Sequence, residues 1–84
     1  MKTTTRFEGM SIDNLDSTIA RTSGVSARTG HMRFLVADGH RYDYGSRVVS
    51  IHRRYRRAVK ACRDGLVVWM WDSYMGTSGG YRAV

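Results

Sequence analysis

The chain has 84 residues, 42% of them hydrophobic, and a formal net charge of +7 at neutral pH. That length allows one domain, here residues 1–84, and buries only roughly 60–65% of the unfolded surface, which excludes a large core. Nine aromatic residues, two of them Trp, argue against a disordered chain, which lacks the bulk to form a core at all.

Residues 1–10 show no clear period, although Thr3-Thr4-Thr5-Arg6-Phe7 is readable as a short edge strand. From Ser11 the pattern changes. Ser11 is a candidate N-cap, Asp13 puts a negative charge in the first turn, and Ile12, Leu15 and Ile19 recur at intervals of three and four. The spacing predicts a helix over about 11–22, closed by Gly24, and the small polar residues of 23–30 read as a turn. Within 18–34, Ile19-Ala20 followed by Ser23-Gly24-Val25-Ser26 and Thr29 resembles the helix-turn-helix of bacterial transcriptional regulators. In that motif an alanine packs at the helix crossing, a glycine makes the turn and Val-Ser opens the recognition helix. The resemblance covers under a quarter of the chain and implies that Ser26, Ala27, Arg28 and His31 face the major groove. Gly30 and Arg33 depart from it, standing where the motif has buried aliphatic side chains.

A hairpin over about 31–44 follows. Met32 to Ala37 forms its first strand, Asp38-Gly39 its two-residue turn, and His40-Arg41-Tyr42-Asp43-Tyr44 its alternating return strand. Gly45-Ser46 then opens a helix over about 46–63. Val48, His52, Tyr55, Val59 and Cys62 recur at four, three, four and three to make a core-facing stripe, and Asp64-Gly65 supplies the stop. Leu66 to Trp71, β-branched and aromatic, begins a buried strand over about 66–74. Residues 76–84, rich in Gly and Ser, read as a flexible tail. The expected architecture is α+β: a small three-stranded sheet packed by one or two helices.

Charge is distributed unevenly along this order. Residues 1–45 carry a balance of +1, and residues 46–84 a balance of +6. Seven cations, Arg47, Arg53, Arg54, Arg56, Arg57, Lys60 and Arg63, fall in the 17 residues from Arg47 to Arg63, which contain no acidic side chain. Like charges three and four apart weaken a helix, so such a block is expected where an anionic partner compensates it. Each guanidinium can grip two phosphate oxygens, and neutralising several phosphates releases counterions.

Other chemistry is poorly supported. His31, His40 and His52 stand at no metal-ligand spacing, and no carboxylate pair suits acid–base work. Asp38 and Asp64 each precede glycine and belong to turns. Gly76-Thr77-Ser78-Gly79-Gly80 lacks the lysine of a phosphate loop. Catalysis, cofactors and metals are therefore not expected. Trp69, Trp71, Tyr42 and Tyr44 read as core material, or as base-stacking platforms if one sheet face is open. The single cysteine, Cys62, excludes an internal disulfide, and the polar N-terminus shows no leader-like run. Both point to a reducing cytoplasm. The longest apolar run is far short of the ~20 residues that span a bilayer, and the basic helix lacks the bulky Leu/Phe face of a membrane-surface helix, so a membrane partner is not expected. The leading expectation is a small basic module that binds DNA or RNA through its arginine-rich helix. The alternative is a phage or mobile-element accessory protein that inhibits a host complex by engaging an acidic protein surface with the same cations. The oligomeric state is not legible.

Overall fold

The computed structural model describes residues 7–21, 25–75 and 79–84. Its elements are α1 (Ile12–Arg21), α2 (Val25–Thr29), β1 (Phe34–Asp38), β2 (Val48–His52), α3 (Tyr55–Ala61), β3 (Leu66–Asp72) and β4 (Gly80–Ala83). The strands form one antiparallel sheet in the order β2-β1-β3-β4. The class is α+β, with four strands where three were expected. Among the described residues, no helix is long and apolar enough to cross a membrane.

Alternation along the strands divides the core in two. Leu35 and Ala37 of β1 join Trp69 and Trp71 of β3, Ile51 of β2 and Tyr81 of β4 on one face. Ile12, Leu15 and Ile19 of α1 and Ala27 of α2 cover that face. Phe34 and Val36 point the other way, pack with Val68, and are covered by Ala58 of α3, with Ala61 and Cys62 beside it. With helices on both sides, β1 is apolar at four consecutive positions, as a strand buried on both faces must be. The helix expected at 11–22 is α1, and Ser11 caps it by accepting the Asn14 N–H at 3.2 Å.

Three expectations are corrected. First, residues 40–44 are not the return strand. All five side chains are exposed, and the chain loops through 39–47 before pairing β1 with Val48–His52. His40, Arg41 and Asp43 cannot cover a core, and Tyr44 only meets Trp69 edge-on at 5.1 Å, whereas Val48 and Ile51 are buried in the core itself. Gly39 keeps the positive φ (+107°) that the turn reading required, but Asp38 then uses its carboxylate to take the Arg47 N–H at 2.8 Å and close the wider loop.

Second, the helix expected at 46–63 is split. Its first part is β2, and only Tyr55–Ala61 is helical. The β-branched run Val48-Val49-Ser50-Ile51 suits a pleated edge better than a helix. An irregularity in the β1–β2 ladder leaves Val49 without a partner, so Val48 and Ile51, three apart, both reach the same core. That spacing imitates a helical period.

Third, the stretch read as a tail contains β4, with Tyr81 fully buried. Residues 76–78 lie outside the described residues. The helix-turn-helix resemblance also fails on geometry. The segment expected to be the recognition helix has five helical residues and then bends at Gly30 into β1, and Ala27, expected to face a groove, is fully buried. The proposed turn at 22–24 lies outside the described residues.

Candidate functional site

β2 and β3 are each antiparallel to β1, so they run parallel to one another on either side of it. α3 makes the crossover between them and lies over β2 and β1. This places α3 at one edge of the sheet with its outer surface in solvent. Arg53, Arg54, Arg56, Arg57, Lys60 and Arg63 are all exposed, on the turn entering α3, on the helix and just beyond its end. Among the described residues none of the six is in an ion pair, the only pair being Arg82–Asp72 at 3.0 Å. Arg47 stands apart from them. It precedes β2, and its guanidinium donates to the Gly9 carbonyl at 3.0 Å, a contact that pins the N-terminal segment to the sheet edge.

The cations enclose two open depressions. Arg56, Arg57 and Lys60 line one of about 330 Å³. His52, Arg57, Lys60 and Ala61 line the other, of about 290 Å³. His52 was expected in the core stripe, but it is half-buried, on the α3 side of the edge strand. Its Nε2 shares a 2.8 Å hydrogen bond with Ser50 Oγ. Burial, and then the Arg57 charge, hold the imidazole below its ordinary pKa, so it is neutral at pH 7.

Two effects of opposite sense follow for His52. A depressed pKa contributes stability above the unfolded value of about 6.5, and that contribution is lost as pH falls through the folded value. The free protein should therefore lose thermal stability between pH 7 and 5 more steeply than a His52→Gln variant. An anion seated beside Arg57 would instead favour the protonated ring. Affinity for a polyanion should rise by up to about tenfold over the same interval in the wild type, and less in His52→Gln. Parallel melting curves and titrations across pH check both.

α3 is itself poorly provided with local stabilisation. Its N-cap is Arg54, which makes no side-chain capping bond, and no acid lies in its first turn. Arg54→Asp should supply both and stabilise the fold by about 1 kcal/mol. In a domain of this size that raises Tm by about 4–8 °C. The same variant should bind a polyanion more weakly, since it exchanges a cation for an anion. Calorimetry beside a binding titration would show whether stability and binding move in opposite directions at this position.

Tyr55 was also assigned to the core. It is 53% exposed, and its ring rests on Phe34 at a centroid distance of 5.7 Å and a 59° tilt. Trp69 and Trp71 are buried and pack as expected of core residues, whereas Tyr42 is 78% exposed beside Arg41. Cys62 is half-buried and its thiol faces the Leu66 carbonyl at 3.3 Å. Among the described residues no three His, Cys, Asp or Glu side chains gather in a way that would hold a metal. The arrangement is suited to binding an extended anion. No family model, curated protein or solved structure matches the chain.

Proposed function

We propose that the protein is a nucleic-acid-binding module, not an enzyme, which contacts phosphates through the surface formed by α3 and its flanking turns. One observation supports this above the others. Six cations close together in sequence lie exposed around one short helix, with no acidic residue in the segment to neutralise them. A fold tolerates such self-repulsion, on a helix without a capping side chain, at a cost in stability. A phosphate backbone recovers that cost by replacing repulsion with bidentate contacts.

Anisotropy titration of the wild type with labelled duplex DNA, single-stranded DNA and RNA tests the reading. With all six cations engaged, log K should fall with log salt at a slope of about −5 on duplex and about −4 on single strands. Binding should be largely independent of sequence, because phosphate contacts position a protein without reading bases. Absence of binding to all three at low salt would sink the proposal and leave an acidic protein surface as the partner to seek.

A further inference from the structure

We infer that this surface is built for single-stranded nucleic acid, with Tyr55 as a stacking platform for an unpaired base; the inference rests on the phosphate-binding reading above. Tyr55 opens α3 three residues before Ala58, so its ring lies on the side of the helix that faces the sheet. Ordinary packing would bury it there. Instead one side of the ring meets Phe34, itself only 8% exposed, while about half of the residue is open to solvent. The Arg33 guanidinium lies 5.6 Å from the Phe34 ring centroid and adds a cation to this aromatic pair. The ring is thus held from beneath, which lowers the entropy lost when something stacks on it.

Its surroundings are cationic. Arg53, Arg54 and Arg56 are its neighbours in sequence, and all are exposed. Phe34 pairs across the sheet with His52, so the depression lined by His52, Arg57 and Lys60 adjoins the platform. A base on Tyr55 would carry its own phosphate towards that depression. Stacking is tolerant of sequence because every base has a π face, and aromatic platforms within basic grooves are how single strands are held. A duplex hides those faces in its own stack and can offer only its phosphates. The same cations therefore serve both forms, while Tyr55 serves one.

The test uses three labelled probes of about 16 nucleotides, the upper end of a single-strand site: dT single strand, an abasic strand of equal charge, and duplex DNA. Wild type should bind the dT strand roughly tenfold or more tightly than the abasic strand at the same salt. Tyr55→Leu, which keeps an apolar side chain on Phe34, should abolish that preference without changing affinity for duplex or the salt slope. Tyr55→Phe should retain it. Circular dichroism confirms that the variants fold. Equal wild-type affinity for the dT and abasic strands would overturn the stacking role and leave phosphate binding intact. A preference that survives in folded Tyr55→Leu would overturn the assignment to Tyr55. No binding to any probe would overturn both readings together.

Discussion

Replacing Arg53, Arg54, Arg56 and Arg57 together with Ala should lower affinity for nucleic acid on the order of a thousandfold at low salt, with the fold intact. The four side chains are exposed and, among the described residues, contribute no ion pair to the structure. Ala is the best helix former, so α3 loses nothing in propensity at positions 56 and 57. Removing cations spaced three and four apart relieves repulsion, so Tm should hold or rise slightly. Binding should respond differently. Four fewer phosphate contacts should flatten the salt dependence by about 3–4 in log–log slope on duplex DNA. The slope is the more telling readout, because a general loosening of the protein would weaken binding without changing the number of ions released. A variant that stays folded and keeps the wild-type slope would move the contact surface away from α3.

This site was partly legible in the sequence, and the parts that were not have a common cause. The charge block from Arg47 to Arg63 needs no structure to be noticed. Which side chains share a surface depends on where β2 ends and α3 begins, and there the pattern misleads. Val48 and Ile51 meet the same core only because the β1–β2 ladder is irregular at Val49, yet their spacing is that of a helix. Once that run is read as helix, His52 and Tyr55 fall on its apolar stripe and Arg47 joins the cations. Read as strand then helix, His52 moves to the sheet edge, Tyr55 to the first helical position, and Arg47 to the far end of β2. The β-branched composition of Val48-Val49-Ser50-Ile51 was the available signal. α1 and β3 were easier because each carries redundant cues: a cap, an acid and a stripe in one, a long β-branched and aromatic run in the other. Residues 40–44 looked like a strand by alternation alone, which says nothing about whether the side chains are apolar enough to be worth burying.

Tyr81→Ala should remove most or all of the stability of the fold, whereas a residue in a flexible tail would be silent. β4 is only four residues long and begins at a glycine, which is why composition suggests a tail. One side chain reverses that judgement. The Tyr81 ring is fully buried and meets Trp71 edge-on at 5.1 Å. Its hydroxyl donates to the Met32 carbonyl at 2.7 Å, tying the end of the chain to the segment that leads into β1. The Asp16 carboxylate of α1 lies beside this edge strand: burial raises its pKa, and the nearby Tyr81 backbone N–H works against that rise. Burial and the nearby Asp16 charge push the phenol well above its usual pKa, so it stays a donor at any physiological pH. Truncating a buried aromatic side chain costs about 3–5 kcal/mol. A domain of this length holds only about 4–13 kcal/mol in total, so the variant should be largely unfolded or melt far below the wild type. Tyr81→Phe keeps the packing and leaves the Met32 carbonyl unpaired, and should cost about 1–3 kcal/mol. Arg82→Ala, one residue on, loses an exposed ion pair with Asp72 and should cost less than about 1 kcal/mol. Thermal melts of the three variants should therefore fall in the order Arg82→Ala, Tyr81→Phe, Tyr81→Ala. Equal melting temperatures would mean that β4 contributes nothing to the sheet.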